Sequence, residues 1–325
     1  MSDKKWKVGL IALSMIVIYL FIGFAINART IDNVVALLRG AEVSSSQRYH
    51  VVLIEQEQRH PYWQLIERGA LDAAKIYDLE LEYTGPVRNN MEEQIKLLEK
   101  AIASKVDGII VQGLNDEKFT PVINKAIDKG IPVLTIDTDA PTSRRLTYVG
   151  TDNFRAGNRL GHMVVQATGG QGKIGVLIGS DKAENQMLRL NGLKHVIDQF
   201  PGLEIVAVRP SNISRIEAVE QAIAVLAQHP EIDTMVGTSA LDALGMVQAK
   251  NHVGRYEIRI IGFDDLPETL DGIRKGEIVS TLAQKPYLMG YDSIRLLHDH
   301  FRGRPLPKEH YTEVEVINAS HARRE

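Results

Sequence analysis

The chain has no cysteine among its 325 residues. That excludes disulfides, thiolate catalysis, cysteine-held metal and a lipidated amino-terminal cysteine. A surplus of either charge is missing too: 38 Lys and Arg face 41 Asp and Glu, a formal net charge of −3. Such a balance gives no global attraction to nucleic acid or anionic lipid. Catalytic signatures are also absent. There is no G-x-S-x-G elbow and no H-E-x-x-H pair. The run Gly169-Gly170-Gln171-Gly172-Lys173 lacks the Ser or Thr that follows the lysine of a phosphate loop, and it precedes a strand. His298-Asp299-His300 has no convergent ligands and reads as a solvated helix end. No cofactor is implied, and nothing supports an enzyme.

What is present begins at the amino end. Lys4, Lys5 and Lys7 precede 19 residues without a charge, Val8 to Ile26. A helix of that length crosses a hydrocarbon core of ~30 Å. A cleaved signal has a shorter apolar core, about 7–15 residues, and a small-x-small site after it. The one candidate site here is Ile26-Asn27-Ala28, so the run favours an uncleaved anchor. The lysines keep their end in the cytoplasm and put the body outside. Residues 1–29 are thus expected to be a cytoplasmic tip and single-pass anchor in the cell membrane. Residues 30–48 follow as a juxtamembrane helix, Thr30 to Gly40, and a joint at Ser44-Ser45-Ser46. The body is extracytoplasmic, either periplasmic or on the outer face.

From Tyr49 strands and helices alternate. Strands are expected at Val51–Glu55, Leu79–Tyr83, Gly108–Gln112 and Val133–Asp137, with helices near Tyr62–Ile76, Met91–Ser104 and Phe119–Lys129 between them. A second series has strands at Lys173–Gly179, Glu204–Val208, Thr234–Gly237 and Ile258–Phe263. Its helices lie near Glu184–Gln199, Ser214–Gln228, Asp242–Asn251 and Pro267–Lys275. Alternation of this kind implies parallel sheets with right-handed crossovers. The fold class is therefore α/β, with two doubly wound lobes and a ligand cleft between them.

Strand ends converge on such a cleft. Asp264 follows the apolar run Ile258–Phe263, and Asp137 ends the fourth strand of the first series. Gln56 to Trp63 follows the first strand, while Gly179-Ser180-Asp181 and Gly237-Thr238-Ser239 follow strands of the second series. Carboxylates accept paired hydrogen bonds from vicinal hydroxyls, and aromatic faces cover the C–H side of a sugar ring. Each residue also has a plainer reading. Asp264 caps the next helix; Asp137 caps a turn before Pro141; Tyr62 and Trp63 staple a helix start; Arg189 is a solvated charge.

Several segments together carry a family resemblance. They are His60-Pro61-Tyr62-Trp63, Ile131 to Asp137, Gly150-Thr151-Asp152-Asn153, Arg189-Leu190-Asn191-Gly192, Ile261-Gly262-Phe263-Asp264 and Thr281-Leu282-Ala283-Gln284. In these the chain resembles the type I periplasmic sugar-binding proteins, the ribose-binding group in particular. The resemblance implies a three-strand hinge, with lobes of 49–151 plus 285–312 and 152–284 plus 313–325. It implies stacking by Tyr62 and Trp63 and hydroxyl binding by Asp137, Arg189, Asp264 and Gln284. Gln56, His60, Thr138 and Ser239 complete the expected ligand set. Thr138 and Met187 stand where the family's ribose binders carry arginines, and Ser239 near an asparagine, which argues against ribose itself. The implied ligand is a small sugar, a pentose, a hexose or similar. The implied partner is an ABC permease or, alternatively, a membrane sensor kinase. Repressors share this fold, but they carry a helix-turn-helix where this chain has its apolar span, so nucleic acid is excluded.

Overall fold

Short apolar runs without alternation, such as Val51–Ile54 and Ile109–Val111, mark parallel strands covered on both faces. The computed structural model describes residues 48–321, and besides them Met15, Phe21, Gly23, Phe24 and 28–31. The apolar span Val8–Ile26 and the helix expected at Thr30–Gly40 lie, but for those few positions, outside the described residues. Among the described residues no helix is long and apolar enough to cross a membrane.

Residues 49 onward build two six-stranded sheets. The first holds β1 (His50–Ile54), β2 (Glu80–Thr84), β3 (Gly108–Val111), β4 (Val133–Ile136), β5 (Thr147–Gly150) and, from far along the chain, β11 (Glu309–Tyr311). The second holds β6 (Gly172–Ile178), β7 (Leu203–Pro210), β8 (Thr234–Gly237), β9 (Arg259–Phe263), β10 (Ser280–Ala283) and β12 (Glu315–Asn318). Their orders, β11-β5-β4-β3-β1-β2 and β12-β10-β9-β8-β6-β7, correspond position by position. Among these strands only the β10–β12 pair is antiparallel. The chain passes between the sheets after β5, after β10 and after β11. These passages are tied together: Thr312 donates its N–H to the Gly150 carbonyl at 2.8 Å, and Thr151 donates to Gln284 at 2.7 Å.

Helices cover both faces. Around the first sheet lie α1 (Pro61–Tyr77), α2 (Met91–Ala103) and α3 (Asp116–Asp128). The second has α4 (Asn153–Thr168), α5 (Glu184–Ile197), α6 (Arg215–Gln228), α7 (Asp242–His252) and α8 (Pro267–Arg274); α9 (Pro286–Phe301) returns to the first. Asn90, Asn115, Asp152 and Ser214 cap α2, α3, α4 and α6 by accepting backbone N–H bonds. Asp152 thus organises the first passage. Period-two alternation sends Val51 and Leu53 into one core and Val52 and Ile54 into the other.

Two helix pairs pack backbone on backbone. A Cβ on Gly69 of α1 would lie 2.0 Å from the Tyr287 carbonyl of α9, and one on Gly157 of α4 would lie 2.1 Å from the Arg189 carbonyl of α5. Glycine is required at both. The sequence reading has no helix at α4 and no strands at β5, β11 and β12, and it starts α3 three residues late, at Phe119.

Candidate functional site

The carboxyl ends of β1 and β4 face those of β6, β8 and β9 across one cavity of about 460 Å³, open solvent at its mouth included. Pockets of this size suit a small ligand. Its walls include Gln56, His60, Tyr62, Trp63 and Asp137 from the first-sheet side, and Arg189, Ser239, Asp264 and Gln284 from the second. Thr138 is not among them. It is fully buried behind Asp137, where its hydroxyl donates to the carboxylate at 3.2 Å and accepts from Gln112 at 3.1 Å. The expectation that Thr138 faces the ligand is corrected: two residues past the strand end, its side chain is buried between Asp137 and Gln112.

Both aspartates sit in the left-handed region, Asp137 at φ 63° and Asp264 at φ 65°. That conformation costs energy for a residue with a Cβ, and it recurs at functional sites. The backbone around each is pinned. Tyr148 donates its hydroxyl to the Asp137 carbonyl at 2.8 Å, and Thr281 donates to the Asp264 carbonyl at 2.7 Å. Neither aspartate caps a helix; the cap position of α8 is Leu266, without a side-chain bond.

Asp137 is held by protein donors. Tyr62 and Gln112 each donate at 2.6 Å, and Asn185 reaches across from α5 at 3.4 Å. Burial pushes the Tyr62 hydroxyl well above its ordinary pKa, with Asp137 adding to it, so it remains a donor. Tyr62 and Trp63 therefore have two roles. They pack into the core beside the first sheet and meet edge to face at 6.0 Å, while lining the cavity. Asp264 accepts from Gln284 at 3.0 Å, and burial drives its pKa up to about 7 against the opposing pull of Arg189.

Arg189 is 2% exposed and not a solvated charge. It donates to Asn153 at 2.8 Å, to the Thr238 carbonyl at 2.8 Å and to Gln284 at 2.9 Å, with Phe263 under its guanidinium at 4.0 Å. Three of its five N–H groups are thereby engaged, and two are left. The Ser239 loop is shaped by Asp242, which accepts the N–H groups of Thr238 and Ser239 at 3.0 and 2.8 Å. His60 occupies the cap position of α1, and its Nδ1 accepts the Tyr62 N–H at 3.3 Å. Burial lowers its pKa, so the ring is neutral and carries its proton on Nε2.

Three buried polar atoms of cavity residues have no partner among the described residues: His60 Nε2, Asn185 Oδ1 and Ser239 Oγ. Buried polar groups are ordinarily bonded. A donor, an acceptor and a hydroxyl, beside the Asp264 carboxylate, make a lining complementary to a ligand rich in hydroxyl groups. Asn185, Gln186, Glu57, Ile213 and Ala240 line the cavity without having been expected. Gln112 stands behind it. The signal for Gln112 was its place at the end of an apolar strand, next to the one that ends in Asp137. Among the described residues no group of His, Asp and Glu is placed to hold a metal ion.

Residues 51–305 match the periplasmic binding protein domain family. The chain belongs to the type I periplasmic binding proteins. This binding protein aligns with the solved structure of GanP, a glucose-galactose binding protein from Geobacillus stearothermophilus. Identity is 44% and the TM-score 0.83, over 85% of this chain and 99% of that one. It aligns with a chain of the XylFII–LytSN complex at 34% identity and TM-score 0.80, over 84% of this chain and 99% of the other. The D-allose-binding periplasmic protein of Escherichia coli K12 is 23% identical over 296 residues, 88% of this chain and 94% of that protein. Members of this family bind solutes and do not transform them, so no catalytic role is required of Asp137 and Asp264.

Proposed function

We propose that the protein is a membrane-anchored extracytoplasmic receptor that binds a small sugar between two lobes and delivers it to an ABC-type importer. The lobes are residues 49–151 plus 285–312 and 152–284 plus 313–325, and residues 1–29 form the anchor. One observation carries the reading. Two pinned aspartates at facing strand ends share a cavity with a neutral histidine donor, an amide and a hydroxyl that have no partner among the described residues. A sugar's hydroxyls supply donors and acceptors in that pattern. Hinge motion then couples occupancy to shape, since the ligand favours whichever form binds it better. Here the two sides touch: Ala183, just before α5, packs into a core cluster of the first sheet, and Asn185 reaches Asp137.

A second reading is sensing, in which the anchored receptor reports its ligand state to a membrane sensor kinase. The apolar span Val8–Ile26, read as an uncleaved anchor, supports it, as does a structural relative found in complex with another protein. A thermal-melt screen of residues 47–325 against pentoses, hexoses and inositols tests the shared core. Saturation at ~100 times the dissociation constant adds about 2.7 kcal/mol. No shift with any sugar would sink the sugar reading. Deleting residues 1–46 then separates the two roles: lost induction with intact uptake supports sensing, and lost uptake supports delivery.

A further inference from the structure

Glu55 follows β1 directly, just before Gln56 of the sugar cleft, and is 4% exposed. Its backbone is fixed: the N–H donates to the Thr84 carbonyl at 2.8 Å, and the carbonyl accepts from Gln94 of α2 at 3.3 Å. Its stem lies on Gly85, where a Cβ would come within 2.3 Å of Glu55 Cγ. From β2 the carboxyl meets the Tyr83 hydroxyl. The charged groups that act on it are Glu67 of α1 and Glu57, both carboxylates. Among the described residues no Lys or Arg does. A buried carboxyl without a cation is costly as an anion, and burial raises its pKa to about 7.

The Tyr83 hydroxyl lies 2.9 Å from Glu55 Oε2 and 2.9 Å from the Trp63 carbonyl. Burial, with Glu55 next, pushes its pKa well above the ordinary value, so it keeps its single proton. When Glu55 is ionised, both neighbours are acceptors and that proton must serve two, the carboxylate having the stronger claim. When Glu55 is protonated, it donates to Tyr83 and Tyr83 donates to Trp63, a chain in which each member is satisfied. Trp63 lines the cleft and meets Tyr62 edge to face at 6.0 Å, and Tyr62 donates to Asp137 at 2.6 Å. One hydroxyl thus joins a carboxyl behind the cleft to the wall of the cleft.

We propose that Glu55 is a positioning residue of the sugar site: protonated, it fixes the Trp63 turn through Tyr83, and ionised, it releases that turn. It touches no ligand and acts through Tyr83 alone. The released turn carries Trp63 and its neighbour Tyr62, so the change reaches the Asp137 wall. The inference rests on the reading of this cleft as the sugar site.

The test reads Trp63 itself, in the full-length chain in nonionic detergent without sugar. Trp6 and Trp63 are the two tryptophans, so Trp6→Phe leaves Trp63 as the reporter. Its emission is expected to change between about pH 5 and about pH 9, with a midpoint near 7. Glu55→Gln, whose amide donates to Tyr83 as the protonated acid does, keeps the low-pH emission and shrinks the change at least about twofold. Tyr83→Phe breaks the relay with Glu55 in place, and it shrinks the change by as much. Melting near pH 5, where Glu55 is protonated, shows that each variant is folded; if Glu55→Gln melts early there, Tyr83→Phe alone decides. A role in packing alone would alter melting and leave the pH response whole. A smaller reduction in either folded variant, or a wild-type emission that does not move with pH, overturns the proposal. No sugar is added, so this failure is distinct from a failure of the sugar screen.

Discussion

Asp137 and Asp264 are the same backbone device put to different use. Each follows the fourth strand of its series, each has φ near 64°, and each carbonyl is pinned by a hydroxyl. Their carboxylates differ. Asp137 is surrounded by Tyr62, Gln112, Thr138 and Asn185, whereas Asp264 has one hydrogen-bond donor, Gln284. One aspartate is spent on holding the cleft wall together. The other has acceptor capacity to spare, and burial raises its pKa to about 7 although Arg189 and Gln284 pull it down. Symmetry of fold therefore does not bring symmetry of function.

Substitution at the two sites should separate these roles. Asp264→Ala is expected to lower sugar affinity roughly 10²-fold or more, since charge-assisted bonds contribute about 1.5–3 kcal/mol each. Asp137→Ala should lower the melting temperature as well, because Tyr62 and Gln112 lose a buried acceptor, at about 1–3 kcal/mol per orphaned group. Calorimetry and thermal melts on both variants check this. A large melting loss for Asp264→Ala with unchanged affinity would reverse the comparison.

Acidity should then sharpen it. Sugar hydroxyls favour the charged form of Asp264, so affinity should fall as pH drops below about 7, approaching tenfold per unit. Stability of the free protein should move the other way. Asp264 and Glu55 are pushed up to about 7 and Asp242 to about 6, all by burial. Their unfolded values lie near 4, so between about 4 and 7 the folded chain binds more protons. Lowering pH from about 8 to about 5 should therefore raise the melting temperature while it weakens binding, and the two measured against pH show whether the trends oppose.

A smaller contrast lies in the helix pairs. Gly69→Ala and Gly157→Ala each overpack a contact, at about 1–3 kcal/mol of stability. Only Gly157→Ala presses on the Arg189 backbone, so only it should weaken sugar binding too. The least effect on binding is expected for Thr138→Val, which removes two interior hydrogen bonds, each worth about 0.5–1.5 kcal/mol, and leaves the cavity lining intact.

Strand-helix alternation made both sheets legible, because βαβ units bury continuous apolar runs that few other folds require. Asp264, Gln284 and the Tyr62-Trp63 pair were legible from strand ends and family motifs. The helix α4 was not. Gly157 and Gly161 break its apolar pattern, and their reason for being there is the surface of α5, which a local reading does not contain. Strands β11 and β12 are three and four residues long, with Glu309 and Glu315 in them, and sheet edges tolerate such composition. Arg189 left its setting open in sequence, since nothing local says that Asn153, Thr238 and Gln284 will surround it. Asn185 and Gln112 were missed for the same reason: an amide's role is set by what faces it.

The order in which the sheets are completed has a consequence for biogenesis. A chain leaves the ribosome or a translocation channel amino end first, and most of each sheet can assemble as it emerges. Yet β11 and β12, one edge strand of each sheet, arrive only at residues 309–318. The third strap between the halves arrives with them. Until then two nearly finished sheets travel on a two-stranded leash, free to sample orientations that the finished receptor never visits.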